Sequence, residues 1–515
     1  MRKKLLHAMA CLLSVVSAMA HDSQSVTDSL AIADTVALPT AFQRPPMQEL
    51  TLTNPIDSMC RAKTQRHPWK AAAEVIGINL AVHCFDRFVL KEDFAKVYLH
   101  HMRDNLRHGF VWDNDKFSTN LFAHPYHGSL YFTSARVNGM NFFASIPYAL
   151  GGSLIWEEFA ETEPPALNDL IATTVGGICL GEITHRVSDL ILHSGERGFR
   201  RLLRETVAAL VCPMKGLNRI ISGEAWHVDT QHNLHHNFNE IPVKLWITAG
   251  SRYLADDASF FRGEYNPYIS ILLEYGSSLN NRHNQPYDYF TAATTFGLSK
   301  NQPFINAVHL MGRIWGAPPI ETPDMNVMFG IYQHFNYYDS EPVKDGSKQT
   351  PYRISEAASF GPGVIYEFTN LGNLRKLEQR IFINGILLGG TKSDYYNIIS
   401  RDYNMGSGYS VKSFTILAFN KAATFLFKTD YYRIFTWKGY ENKDLTTVDP
   451  LYLNSQGDKG NAELLVISPV MTLQVGKGLN AELGASYFIR NTRYAFHDTV
   501  RTRTFELRLG LNCTF

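Results

Sequence analysis

The chain changes its hydrophobic rhythm part-way along. Near its end the period is two: Phe505, Leu507, Leu509, Leu511, Cys513 and Phe515 alternate with Glu506, Arg508, Gly510, Asn512 and Thr514. Ala481, Leu483, Ala485, Tyr487 and Ile489 repeat the pattern. Ten earlier segments also read as strands: Val243–Tyr253, Tyr268–Ser277, Tyr289–Gly297, Ile305–Trp315, Asn326–Tyr337, Tyr352–Phe368, Leu377–Gly389, Tyr409–Phe419, Ala422–Trp437 and Leu464–Val475. With turn signals such as Asn280-Asn281, Asp345-Gly346, Asn370-Leu371-Gly372 and Gly457-Asp458 between them, these predict twelve strands. Before about residue 223 the spacing is three to four. Trp69–Leu90, Asn141–Glu161, Pro165–His193 and Gly198–Ile221 read as helices.

Composition sharpens the strand reading. Twenty-one of the 25 tyrosines follow residue 235; only Tyr98, Tyr126, Tyr131 and Tyr148 precede it. Tyr and Phe enrichment in the strand region suits the interfacial girdles of a lipid-facing barrel. An open sheet in hydrocarbon would leave its edge N–H and C=O groups without partners, and closure removes the edges. The expected fold is therefore an α+β membrane protein, an N-terminal helical domain followed by a C-terminal antiparallel outer-membrane β-barrel of about 12 strands. The other reading of the same alternation is a soluble β-sandwich.

The helical segments are apolar yet interrupted by Glu74, Asp86, Arg87, Glu157, Glu158, Glu161, Glu182, Arg186 and Asp189. A spanning helix needs ~20 nearly uncharged residues, and a central charge costs about 2.5–3.5 kcal/mol on insertion scales. These helices are expected to pack together, on the periplasmic side, in the barrel mouth or at a membrane surface. The first twenty residues have the order of an export signal: Arg2, Lys3 and Lys4, an apolar run from Leu5 to Val16, and Ala18-Met19-Ala20 at the cleavage position. Residues 21–68 form a polar, proline-containing linker, 69–223 the helical domain, 224–238 a histidine-rich connector and 239–515 the barrel. Phe515 is read as the terminal aromatic that the barrel-assembly machinery recognises.

Charge and cysteine usage exclude more than they assign. With 49 Lys+Arg against 48 Asp+Glu there is no electrostatic case for a nucleic-acid partner. Past the export signal, which holds Cys11, the five cysteines Cys60, Cys84, Cys179, Cys212 and Cys513 are odd in number, scattered and free of C-x-x-C spacing, so neither a disulfide framework nor zinc or redox chemistry is indicated. No Walker loop, Gly-x-Ser-x-Gly elbow, His-Glu-x-x-His or dinucleotide fingerprint occurs, and the sequence names no cofactor.

Four constellations could carry chemistry. Glu182, His185, Arg186 and Asp189 share a helix face; a carboxylate beside an imidazole could act as acid or base, or the four could simply be a salt-bridged stripe. Glu-x-x-His also occurs in di-iron bundles, but that site needs a second copy of the motif, and the region lacks one. His124, His127 and Tyr131 follow at i, i+3 and i+7, with Pro125 suited to a first turn and Gly128, Ala135 and Gly139 permitting close packing. Here His124 or His127 is a candidate base and Arg136 a clamp for an anion such as a lipid phosphate, or the group is a capped, hydrogen-bonded helix start. Glu157, Glu161, Asn168 and Asp169 flank the Glu163-Pro164-Pro165 break and could converge near Glu182. His227, Asp229, His232, His235 and His236 have spacing that suits a transition metal, or are solvated in a connector.

The run His124-Pro125-Tyr126-His127-Gly128-Ser129-Leu130-Tyr131-Phe132-Thr133-Ser134-Ala135-Arg136 resembles an uncharacterised family of bacterial envelope proteins. Gly139, Gly152-Ser153, Trp156-Glu157, Glu161, Asn168-Asp169-Leu170, Gly177, Gly181-Glu182 and Arg186 continue the resemblance over roughly residues 70–220. That family carries a domain of unknown function common in the Bacteroides group. The resemblance implies an envelope location and no activity. Taken together, the sequence predicts an outer-membrane barrel whose helices bind or modify an envelope lipid. His124, His127, Glu182 and His185 are the candidate catalytic groups and Arg136, Glu157, Asp169 and Arg186 the candidate binding groups. The alternative is a channel or structural protein with the helices as plug.

Overall fold

The computed structural model describes residues 65–515 apart from 113–115, 193–195, 228–240, 281–283, 345, 347–348, 369–370, 373, 396–401, 420–421 and 440–456. The export signal, most of the linker and, from the histidine-rich connector, Asp229, His232, His235 and His236 lie outside the described residues. So do parts of three predicted turns, at Asn281, Asp345 and Asn370.

Thirteen strands form one antiparallel sheet: β1 (Val243–Asp256), β2 (Glu264–Tyr275), β3 (Phe290–Gly297), β4 (Ile305–Gly316), the two-residue β5 (Ile320–Glu321), β6 (Met325–Tyr338), β7 (Ile354–Phe368), β8 (Leu374–Lys392), β9 (Tyr403–Phe419), β10 (Ala423–Thr436), β11 (Gly460–Gly476), β12 (Leu479–Tyr494) and β13 (Val500–Thr514). Each long strand pairs with its neighbours in sequence, β1 pairs with β13, and β4 reaches past β5 to pair with β6. The result is a closed barrel of twelve long strands, with no open edge for another chain or for water to satisfy. The twelve predicted segments all correspond to these strands.

Alternation assigns each side chain to a face, and directly paired residues share one. On β13, Glu506 and Asn512 point inward, where they meet Arg252 and Thr248 of β1. Leu509 and Leu511 point out and stay exposed. The lumen is crossed by its own side chains. Arg380 of β8 bonds Glu274 of β2 at 2.9 Å, the Tyr338 hydroxyl of β6 donates to Asp430 of β10 at 3.2 Å, and Tyr352 stacks on Phe488 of β12 at 4.0 Å. Lys412 is paired with Glu356 between these layers, both buried.

The helical domain comprises α1 (Pro68–Phe85, continued by a π turn to Leu90), α2 (Leu99–His108), α3 (His124–Val137, entered by a π turn, Thr119–Ala123), α4 (Phe142–Phe159), α5 (Leu167–Ile171), α6 (Gly177–Ile191), α7 (Gly198–Val211) and α8 (Pro213–Ser222). A further π turn, Ala172–Gly176, joins α5 to α6. Pro213 divides what the periodicity reads as one helix, Gly198–Ile221, because its ring lacks the N–H the ladder needs. Among the described residues no helix is long and apolar enough to cross a membrane.

The helices meet the barrel on one flank. Phe132, Phe142, Ile178, Cys179 and Ile183 share a buried apolar cluster with Tyr275, Phe290, Leu310, Phe335 and Tyr337. Register places those strand residues on one face: Tyr275 opposes Phe290, and Leu310 opposes Phe335. Glu274 and His334, one residue away, have the opposite, inward parity. The helix contacts therefore fall on the outward face of the wall. None of the contacts named here has a helix as a plug in the lumen. α6 descends that wall: the carbonyl of Val175, just before it, accepts from Gln333 of β6 at 2.8 Å, and Arg186 near its end donates to the carbonyl of Pro286 in the β2–β3 connection at 2.8 Å.

Candidate functional site

Small residues bring the helices into register. A Cβ on Gly128 would lie 1.7 Å from the Thr173 carbonyl oxygen, one on Gly177 2.5 Å from the Gly128 carbonyl carbon, and one on Gly152 2.5 Å from the Tyr131 ring. α3 therefore lies almost backbone-to-backbone against α6, with α4 on its other side. Close helix approach of this kind, with polar side chains facing into the seam, is the packing used where lipid surrounds helices. Three groups of polar side chains line the seams.

The first lies at the start of α3. His124 Nε2 is 3.6 Å from Asp169 Oδ1, Asn168 donates to the same carboxylate oxygen at 2.7 Å, and Glu157 of α4 accepts the Ala166 backbone N–H at 2.8 Å. All the carboxylates here are buried. The second begins one turn along α3. Tyr131 donates to Asn79 of α1, His127 Nε2 is 2.9 Å from the same hydroxyl, and Trp156 packs edge-on against His127 at 5.0 Å. Asn79 completes the link by donating to the Gly152 carbonyl at 3.0 Å. Burial, with His124 nearby, pushes the His127 imidazole down to about 3, so it is neutral at physiological pH.

The third group lies near the end of α3. Arg136 grips Glu182 through two bonds, at 2.7 and 3.1 Å, and Arg186 donates to the same carboxylate at 2.8 Å. Burial works against the charged carboxylate, but the two guanidinium groups outweigh it and hold Glu182 below the usual carboxylate range. Arg136 also caps the chain by donating to the Met140 carbonyl at 2.6 Å. His185 is 3.8 Å from Asp189, and its Nδ1 is buried without a hydrogen-bond partner. Burial first, then the charges of Lys215, Arg136 and Arg186, hold it well below the usual imidazole range.

The eight candidate residues thus fall into separate places. His124, Glu157 and Asp169 gather at the α5 corner and Arg136, Glu182 and Arg186 at the other end of α3. His127 lies in the seam with α4, and His185 sits on α6 beside Asp189. His124 and Arg136 are twelve residues apart, about 18 Å along a helix. The expected gathering of the Glu157 and Asp169 carboxylates around Glu182 is replaced by two sites, because Glu182 is saturated by its two arginines. The predicted Glu182–Arg186 and His185–Asp189 pairs are both present. Among the described residues no group of three metal-ligating side chains is close enough to hold an ion. Sequence reasoning missed Asn79; the signal was a lone amide in the uncharged run Val75–Phe85.

Residues 109–214 match a family model described as a domain of unknown function, DUF3943. This is narrower than the resemblance over residues 70–220 and covers less than half the chain. No curated protein matches the chain significantly. Among solved structures the chain is similar to the NanC porin (12% identity, 52% of this chain and 98% of that one, TM-score 0.27). It is also similar to OmpT of Vibrio cholerae (6%, 53% and 97%, 0.22) and to the FrpB iron transporter from Neisseria meningitidis (9%, 55% and 46%, 0.23). At these scores the similarities assign neither function nor substrate.

Proposed function

We propose that this chain is an outer-membrane β-barrel whose helical domain binds an envelope lipid or a similar amphiphile against the barrel's outer wall. The observation that carries the reading is the position of the helical contacts. They occupy the outward face of a closed barrel, the face that hydrocarbon covers on every other flank. The helical domain also has the polarity an amphiphile meets with advantage. Glu157, Asp169 and Glu182 lie in internal seams, and apolar side chains such as Ile76, Leu80 and Phe143 face outward. In this reading His124 beside Asp169, and Arg136 and Arg186 beside Glu182, are the polar groups offered to the headgroup.

The channel alternative has less support, because side-chain contacts such as Arg380–Glu274 and Tyr352–Phe488 cross the lumen. The test is purification in a mild detergent followed by extraction and mass analysis of retained lipid. One lipid class is expected at several-fold enrichment over the bulk envelope, falling towards bulk in His124→Ala and Arg136→Ala. Bulk composition in the folded wild type would overturn the reading.

A further inference from the structure

Among the described residues α1 lies on the outer perimeter of the helical domain, packed through one side only. The inner side of α1 is fixed by Asn79, bonded to Gly152, and by Ala71 and Val75, which are buried. The opposite side is bare and apolar: Ile76, Leu80, Phe85 and Phe88 are all at least half exposed, Leu80 at 61%. Phe143 of α4 adds 59% exposure. A water-soluble domain would bury such side chains and expose the carboxylates. Here Glu157 and Glu182 are the buried groups, at 1% and 0% exposure.

Charge brackets this face. Between Glu74 and Asp86 lie eleven residues without an acidic residue, lysine or arginine, about 16 Å of helix. Lys70 and Glu74 pair at one end at 3.8 Å, and Asp86, Arg87, Lys91 and Glu92 follow at the other. The hydrocarbon core of a bilayer is ~30 Å thick, so the uncharged interval matches about one leaflet. The helices also run along the barrel wall. α3 begins beside the β8–β9 end, where Asn120 donates to Tyr403 at 2.6 Å, and α6 ends beside the β2–β3 connection at Pro286. α4 returns against α3, with Trp156 near His127 and Phe142 near Phe132. α1 follows α4, with the Pro68 carbonyl accepting from Tyr148 and the Ala160 carbonyl 3.1 Å from His83 Nδ1.

We infer that the outward face of α1, with Phe143 of α4, is immersed in the acyl chains of the bilayer, so that the helical domain continues the barrel's lipid-facing wall. The occupant is hydrocarbon rather than a protein partner, because α1 is carried by α3 and α4, which pack on the outward face of the barrel wall. Leu483, Leu509 and Leu511, on the arc of the barrel away from the helices, are exposed on the same outward face of the wall. The inference rests on the membrane reading of the barrel.

Site-directed spin labelling of the full chain in phosphatidylethanolamine–phosphatidylglycerol vesicles tests it. Cys60, Cys84 and Cys513 are changed to Ser and one reporter is added at a time: Leu80→Cys on α1, Leu509→Cys on β13, or Arg103→Cys on the charged helix α2. At the Leu80 reporter, access to oxygen should exceed access to a water-soluble nickel chelate, as at Leu509, with the reverse at Arg103. Nickel access exceeding oxygen at Leu80 while Leu509 reads lipid would overturn the inference alone. Low access to both at Leu80 would mean a second copy or another protein covers the face, and also overturns it. A water reading at Leu509 would overturn the membrane reading with it. Heat-modifiable migration of each labelled protein confirms that the barrel is closed.

Discussion

Gly128 and Thr173 meet so closely that no side chain fits between them: a Cβ on the glycine would lie 1.7 Å from the threonine carbonyl oxygen. The threonine lies in the π turn before α6, so backbone rather than a flexible side chain would have to give way. Gly128→Ala should separate α3 from α6 and destabilise the helical domain by about 1–3 kcal/mol, the usual cost of overpacking. Denaturant titration followed by helical circular dichroism checks it. An unchanged midpoint would show that the seam can relax.

Glu182 neutralises two arginines, which are otherwise largely buried. Removing one partner of a buried ion pair costs about 3–5 kcal/mol because the remaining charge is stranded. Glu182→Gln should therefore loosen the α3–α6 seam more than any substitution on the rim of the domain, such as Asp93→Asn, whose partner Lys96 is exposed. Limited proteolysis of the helical domain reads the difference.

The helical domain should also be acid-sensitive. Burial first, and His124 second, lower the His127 imidazole to about 3, and His185 is lowered in the same direction. An unfolded histidine titrates near 6.5. The folded state binds fewer protons between those values, so stability is full above about pH 6.5 and falls steadily as the pH drops towards 3. Hydrogen exchange in α3 should accelerate over that window. His127→Gln together with His185→Gln should flatten the dependence.

The seam between the first and last strands ends in a reciprocal bond. The Phe515 N–H donates to the Leu245 carbonyl at 2.9 Å, and Leu245 donates back at 3.2 Å. Deleting Phe515 removes both and leaves the Leu245 N–H and C=O unpaired at the barrel rim. The expected result is slower assembly and a lower unfolding temperature of the barrel on gels. Wild-type assembly kinetics would show that the earlier β1–β13 pairs suffice.

How much of this was legible depended on what imposed the pattern. The barrel strands were plain because a closed wall demands apolar and polar residues in strict turn, as Leu509 and Leu511 against Glu506 and Asn512 show. The helical face was not. α4 carries apolar residues all round, Phe142 buried and Phe143 exposed, so its sequence could not say which side meets protein. The Glu182–Arg186 and His185–Asp189 pairs could be read because four residues is one helical turn. The Tyr131–Asn79 bond joins residues 52 positions apart, and no local spacing announces it. The short helix α2 was missed because it is only ten residues long and its apolar residues, Leu99, Met102 and Leu106, are outnumbered by charged and histidine residues.

A barrel with helices along only one flank has no rotational symmetry about its axis. Viewed down that axis the molecule is lopsided, and the β10–β13 arc is the side left clear of helices among the contacts described. Neighbours drifting in the same plane would reach the strands directly from that arc and would be held off a bundle's breadth on the other. Crowding would then orient these molecules with respect to one another, giving them a front and a back that a plain cylinder lacks.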